Sequence, residues 1–360
     1  MSLDHHTQAM QLPAVDNDKP SSMEDRTESS RDGALDFTKG ALVLFMVLYH
    51  WLNYFVGPFG QYYKYLRFLT PSFIFISGYV ISQIQLSRTG YNVRRLASRL
   101  TVRGLKLLVL VILLNALVSF AAVRFVVRPA ALMAFLHNVC RALIVANPLA
   151  SEGRKGVAFS MLVPIAYLLI LSALVVVSTK REKYAFRFTL LVLIAAVIST
   201  YVYGVPSSYL ELLMVGVLGV VIGSARSEQI ALFLGRPYVL VLLYCCYLVM
   251  ITVWYVTPPL QVVSVILTTA LLYVAGRTRT PGLLWRRTVL LGKYSLLGYI
   301  SQIAVLQGLR RISWLSERGV LALLVSLLMG TLLTLAIVEV ADLARRRSPL
   351  ADSIYRLVFA

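Results

Sequence analysis

One apolar segment carries two ionisable side chains that could do chemistry. Residues 35–50 read LDFTKGALVLFMVLYH, and they place Lys39 and His50 eleven positions apart. Eleven residues make about three turns of an α-helix, so both side chains point the same way, roughly 16 Å apart along the axis. Ionisable residues in a membrane-spanning helix are costly and usually face a cavity or a partner. This pair is therefore the strongest indication of function in the chain.

His50 is the candidate catalytic residue of this segment. A neutral imidazole can take a proton from a hydroxyl group near physiological pH, and burial keeps it neutral. The alternative is a histidine that only hydrogen-bonds a neighbouring helix. Lys39 follows Asp36 by three residues, so it could pair with that carboxylate, help to hold an anionic cofactor, or do both.

A second group of cations opens the third apolar run of the chain. Within RRLASRLTVRGLK, residues 94–106, the side chains of Arg95, Arg99, Arg103 and Lys106 fall at helical spacing on roughly one face. Arg95 fits the alternative of an ordinary cytoplasmic basic loop, whereas Arg103 and Lys106 lie deeper, at the membrane edge. Clustered cations there suit phosphate groups, which arginine can grip in bidentate fashion. We therefore expect Arg99, Arg103 and Lys106 to bind an anionic cofactor.

Two further polar side chains are candidates. Ser77 lies in TPSFIFISGYVIS, residues 70–82, where it could donate to an acyl or phosphate oxygen, or could serve close helix packing together with Gly78. Glu211, near the outer end of its apolar run, could contact a polar acceptor or reach the membrane surface. The chain has no Walker loop, zinc motif or nucleophile elbow. We therefore predict no metal site and no tightly bound cofactor.

The elements that must position these residues are membrane helices. Hydrophobic residues make up 58% of the chain and charged residues only 14%, whereas a soluble domain carries roughly 25% charged residues. We predict an all-α, polytopic integral membrane protein, because long apolar runs recur along nearly the whole chain. The ten predicted spans are 36–56, 66–87, 104–123, 157–177, 186–204, 207–225, 237–256, 259–276, 288–308 and 319–341.

The remaining segments complete the predicted organisation. Residues 1–33 are polar and predict a disordered cytoplasmic tail, residues 34–343 form the transmembrane domain, and residues 344–360 form a cytoplasmic C-terminal tail. The apolar segment 130–147 is either an interfacial or a re-entrant helix.

Basic residues indicate the orientation. They concentrate in alternate connections between the spans, at 88–106, 180–187, 277–287 and 345–347. The positive-inside rule places these segments and both termini in the cytoplasm. We attribute the net charge of +19 to this orientation and to contact with lipid headgroups, and we expect no nucleic-acid partner.

Three blocks of the sequence resemble the motifs of one known family. The first block, LDFTKGALVLFMVLYH, is similar to a motif in which a basic residue, ten intervening residues and a histidine follow one another. FIFISGYVIS at 73–82 is similar to an FFxxSGF-type second helix, and LLGKYSLLGYISQIAVL at 290–306 is similar to a late helix that often reads LGxxSYxxYLxH. These motifs belong to the bacterial membrane acyltransferase superfamily, which includes the acyltransferase-3 family and the heparan-glucosaminide acetyltransferase-like proteins.

Some positions match the family closely and others depart from it. The family has an RxxR-like element after the second helix, and RGLK is its best match here, with Arg103 and Lys106 as the two basic residues. Lys39 stands where arginine is common, and Gln302 stands where a late histidine is frequent. Gln302 is therefore a candidate substrate-binding residue, together with Glu211.

The resemblance implies a multi-pass enzyme of the bacterial inner membrane. It implies transfer of an acyl group, often acetyl, from cytoplasmic acyl-CoA as co-substrate to a hydroxyl or amine of a glycan or lipid-linked sugar. His50 would act as general base or carry the acyl group transiently, while Lys39, Ser77, Arg99, Arg103 and Lys106 would bind the donor. The alternatives are a secondary transporter of an anionic solute and a non-catalytic membrane protein that kept the fold.

The predicted orientation can be tested with reporter fusions. Fusions after residues 90 and 350 should both report a cytoplasmic location, because both positions lie in basic segments. A periplasmic signal at either position would contradict the ten-span arrangement.

Overall fold

The computed structural model describes residues 32–57, 60–86, 92–122, 159, 161–179, 183–202, 208–225, 234–254, 257–277, 282–312, 314 and 319–359. These residues form helices and short connections, and no strand occurs among them. A helix satisfies all its backbone hydrogen bonds internally, which is what a water-free bilayer requires. The helices are α1 Gly33–Trp51, α2 Tyr63–Leu66, α3 Leu69–Val80, α4 Val93–Ala122, α5 Leu162–Ser178, α6 Lys183–Val202, α7 Ser208–Gly223, α8 Pro237–Val253, α9 Pro258–Arg277, α10 Leu283–Lys293, α11 Ser295–Leu309, α12 Val320–Arg347 and α13 Pro349–Phe359.

The all-α, membrane-spanning class is confirmed. Among the described residues, four helical segments are long and apolar enough to cross a membrane: Gly33–Val56, Val93–Leu117, Pro259–Arg277 and Val320–Arg347. The bent pair α10 and α11 makes a fifth if it counts as one span, and shorter apolar helices cover 162–178, 187–196, 209–223 and 237–253. Ten crossings and cytoplasmic termini stay predictions. The segment 130–147 and residues 1–31 of the predicted tail lie outside the described residues.

One predicted span is not a straight helix. Residues 288–308 divide into α10 and α11, whose axes are bent by 96°. The bend lies at Tyr294, which leaves helical geometry with φ −111° and ψ 31°. The Tyr294 hydroxyl donates to Asp342 at 2.7 Å, so a buried contact with α12 holds the bend in place. Hydropathy alone does not reveal such a break, because both halves are apolar.

Local sequence sets both ends of α1. The Asp32 carboxylate caps its start by accepting hydrogen bonds from the backbone N–H groups of Ala34, at 2.9 Å, and Leu35, at 3.4 Å. After Trp51 the helix widens into a π-helical turn over Leu52–Val56, a geometry that is frequent at functional sites. The chain then turns at Gly57, whose φ of +132° favours glycine.

Glycine allows α1 and α10 to pack with their backbones almost in contact. A Cβ atom at Gly40 would overlap the carbonyl oxygen of Thr288, and one at Gly292 would overlap the carbonyl oxygen of Asp36. The helix α9 approaches the same end of α1, where a Cβ at Gly276 would lie 2.9 Å from the Ala34 oxygen. Small residues at such crossings are typical of membrane helix pairs. The N-terminal half of α1 is therefore held in a narrow backbone contact.

A similar crossing positions α3. A Cβ atom at Gly78 would overlap the carbonyl oxygen of Gly216, and one at Gly219 on α7 would overlap that of Phe75. The close helix packing that the sequence indicated for Gly78 is therefore present, and it fixes the neighbouring Ser77.

We predict that Gly292→Ala destabilises the protein markedly. Its methyl group has no free volume between α10 and α1, and forcing extra volume into a packed site typically costs about 1–3 kcal/mol. Thermal unfolding of the purified protein in detergent measures the effect. Gly282→Ala is the matched control, because a Cβ at Gly282 meets no atom within 4 Å. Equal melting temperatures for the two variants would contradict the close crossing.

Candidate active site

A cavity of about 280 Å³ lies between α3, α4, α5, α11 and α13. Three of the polar residues singled out in the sequence line it together: Ser77 from α3, and Arg103 and Lys106 from α4. Two basic side chains at one cavity provide a site for an anionic group. The other lining residues are Phe73, Leu107, Met161, Leu162, Ile165, Leu169, Ser295, Leu296, Tyr299, Val358 and Phe359.

Gly104, which lies between Arg103 and Lys106, allows α4 to pack closely on α5 next to the cavity. Gly104 is buried, and a Cβ atom there would lie 2.9 Å from the carbonyl oxygen of Ala166 on α5. The helix α4 therefore packs tightly on α5 at the RGLK element. Arg103 is exposed and Lys106 is half-buried, so both cations remain accessible at the cavity. Arg99, one turn earlier, is exposed and does not line it.

Ser77 lines the cavity, but its hydroxyl proton is used within its own helix. The hydroxyl donates to the Phe73 carbonyl oxygen at 2.8 Å, as serine often does one turn back in a helix. In this geometry the oxygen can accept a hydrogen bond but does not donate one to an acyl or phosphate oxygen.

His50 lies among aromatic rings. Its ring centroid is 5.4 Å from that of Tyr49, 6.4 Å from Tyr54 and 6.2 Å from Tyr299. Its Nε2 atom is buried and has no hydrogen-bond partner within the described part of the chain. The imidazole is thus packed among rings, and its Nε2 atom makes no hydrogen bond to the described residues.

Tyr299 connects His50 to the cavity. It is only 4% exposed, it lines the cavity, and its ring is the neighbour of His50 from α11. His50 itself does not line the cavity. Tyr299 contacts both, so a ligand anchored at Arg103 or Lys106 would have to pass the buried Tyr299 ring to reach His50.

Lys39 has a different environment. Its ammonium group lies 2.6 Å from the carboxylate of Asp36, which is only 4% exposed. Lys39 does not line the cavity. The structure therefore shows the predicted Asp36 pairing and does not bring Lys39 to the other cations.

The two substrate-binding candidates also lie outside the cavity lining. Gln302 is fully buried, and neither its amide nitrogen nor its amide oxygen has a hydrogen-bond partner among the described residues. It lies three residues after Tyr299, on the same face of α11. Glu211 is half-buried in the first turn of α7, where a carboxylate suits the helix dipole.

Sequence reasoning missed several residues of this site. Tyr299 stands in the quoted late block, three residues before Gln302, but an apolar run gives no signal that selects a tyrosine. Val358 and Phe359 belong to the segment that was predicted to be a simple tail. The amphipathic pattern of α13 is the signal in the sequence that could have indicated a helix packed against the protein.

Comparison with known proteins agrees with the motifs. The chain matches the acyltransferase domain model of one family over residues 32–339, which is well over half of its length. The match begins at the residue that caps α1 and ends near the last turns of α12. No curated protein and no solved structure matches the chain.

Proposed function

Because this chain belongs to the acyltransferase-3 family, we propose that it is a membrane enzyme that moves an acyl group, preferably acetyl, from acyl-CoA to a hydroxyl or amine of a cell-envelope glycan or lipid-linked sugar. The observation that supports the proposal is that Tyr299 both lines the cavity with Arg103 and Lys106 and packs against His50. The location that suits this reaction is the bacterial inner membrane.

The two basic residues of α4 would bind the donor. The phosphates of acyl-CoA would bind Arg103 and Lys106 through charge-assisted hydrogen bonds. The pantetheine arm would lie along the apolar wall formed by Phe73, Leu162 and Ile165, with its thioester toward Tyr299. A long, flexible donor suits a site in which the charged and reactive ends are well separated.

His50 would catalyse the transfer by one of two routes. As general base, it would take the proton of the acceptor hydroxyl or amine while the acceptor oxygen or nitrogen attacks the thioester carbon. The carbon–sulfur bond breaks, and the imidazolium returns the proton to the leaving thiolate. In the covalent variant, the imidazole itself attacks the thioester carbon and CoA leaves as a thiolate. The acceptor then attacks the acyl carbon, the bond to the imidazole breaks, and the acceptor proton goes to the thiolate. Both variants need the unpaired Nε2 that His50 presents.

The other polar residues receive supporting roles. Gln302 can hydrogen-bond the acceptor or the thioester oxygen, because its amide has both donor and acceptor capacity unused among the described residues. Lys39 and Asp36 would stabilise the cytoplasmic end of α1 rather than bind the donor.

We predict that Arg103→Ala weakens binding of acyl-CoA about ten-fold or more. Hydrogen bonds to charged groups contribute about 1.5–3 kcal/mol each, which corresponds to that loss. Calorimetry with purified protein measures the affinity, and Arg99→Ala is the control because Arg99 lies on the same helix but outside the cavity. If both variants weaken binding equally, the effect reflects general surface charge and not this cavity.

We predict that His50→Gln abolishes detectable acyl transfer while the protein still inserts, purifies and binds acyl-CoA. Glutamine keeps a hydrogen-bonding side chain but cannot cycle a proton, and loss of general-base catalysis alone lowers a rate by about 10²–10⁴. Transfer of a labelled acetyl group to envelope glycans measures the rate. Near-normal turnover of His50→Gln would make the histidine structural, and solute counterflow without transfer by the wild-type protein would favour a transporter.

A further inference from the structure

The C-terminal helix α13 contributes to the cavity. Val358 and Phe359, in its last turn, line the same space as Arg103 and Lys106. They come from residues beyond the segment matched to the family, which ends at 339. This part of the cavity wall therefore lies outside the matched domain.

Contacts with α12 and with the bend at Tyr294 hold α13 in place. The Arg345 guanidinium donates to the Asp352 carboxylate at 2.8 Å and to the Tyr294 hydroxyl at 3.1 Å. The hydrogen bond from Arg345 lowers the pKa of Asp352, so this ion pair is fully formed at neutral pH. Arg356 adds a second pair with Asp352 at 2.6 Å.

Three planar side chains stack in sequence, namely Arg345 of α12 and then Tyr355 and Phe359 of α13. The last of them, Phe359, lines the cavity. The Arg345 guanidinium carbon lies 4.1 Å from the ring centroid of Tyr355. The Tyr355 ring is stacked on Phe359, with centroids 4.8 Å apart and planes 28° apart. The Tyr294 ring packs edge-to-face with the Tyr355 ring, with their centroids 5.3 Å apart. The ring of Phe359 is thus held in a fixed orientation beside the two cations.

The opposite face of α13 has no such arrangement. Leu350, Ile354 and Leu357 are 69%, 55% and 71% exposed. They lie on the face that points away from the protein, and they provide matched positions for control substitutions.

We propose that Phe359, backed by Tyr355, is the stacking platform for the nucleobase of the acyl-CoA donor. The proposal rests on the proposed function, because it assigns one end of the same donor. A nucleobase has a flat face that stacks on aromatic side chains in a sequence-tolerant way, and in CoA it is attached to the phosphates that suit Arg103 and Lys106. A preorganised ring also lowers the entropy cost of binding.

The test compares two ligands that share the pantetheine arm and its first phosphate. CoA also carries the nucleobase, the ribose and two further phosphates, whereas 4′-phosphopantetheine ends at the first phosphate. Phe359→Ala should weaken binding of CoA roughly ten-fold, as loss of one stacking partner does, and leave binding of 4′-phosphopantetheine unchanged. Phe359→Trp should retain the affinity for CoA, and the control Leu357→Ala should behave as the wild type with both ligands. Calorimetry on the full-length protein in detergent measures the affinity of the wild type and of each variant for both ligands.

Each outcome separates this proposal from the proposed function. If the wild type binds CoA and Phe359→Ala binds it equally well, the stacking role is wrong and the proposed function stands. If Phe359→Ala weakens both ligands equally, Phe359 only anchors α13, and the stacking role is again wrong. If the wild type binds neither ligand, the proposed function and this inference fail together.

Discussion

The near-contact between the backbones of α1 and α10 fixes the two helices that carry His50 and Tyr299. Neither Gly40 nor Gly292 leaves room for a side chain at this crossing, so α1 cannot slide or rotate against α10 without a clash. The helix α10 continues into α11 through the bend at Tyr294. The same contact therefore sets both the helix that carries His50 and the helix that carries Tyr299, and with them the distance between the histidine and the cavity.

The site buries polar atoms that have no hydrogen-bond partner among the described residues, and this lowers the stability of the folded protein. His50 keeps a buried nitrogen unpaired, and Gln302 keeps both amide atoms unpaired within the described residues. An unsatisfied buried group costs about 1–3 kcal/mol. Close helix crossings and the aromatic packing around His50 offset that cost. Such groups are what a site for a polar acceptor needs, since a hydroxyl or amine entering the site would pair with them.

The sequence predicts part of this site and misses the rest for identifiable reasons. The three-turn spacing placed Lys39 and His50 correctly on one helix, and helical spacing selected Arg103 and Lys106, which do meet at one cavity. Local spacing predicted the Asp36–Lys39 pair, but it did not show that Lys39 lies outside the cavity, because the cavity lining depends on tertiary packing. The bend at Tyr294 and the packing of Tyr294 on Tyr355 join residues about 50 or more positions apart, which no local pattern encodes.

Photochemical labelling with an acyl-CoA analogue tests the central claim most directly, namely that an acyl-CoA bound at the basic residues of α4 places its acyl end at Tyr299 and His50. The analogue carries a diazirine at the end of its acyl chain, and labelled peptides are identified by mass spectrometry. We predict label on the peptides that contain His50 or Tyr299, and its loss when excess acetyl-CoA competes. Label confined to other helices, or label that acetyl-CoA does not displace, would contradict the account.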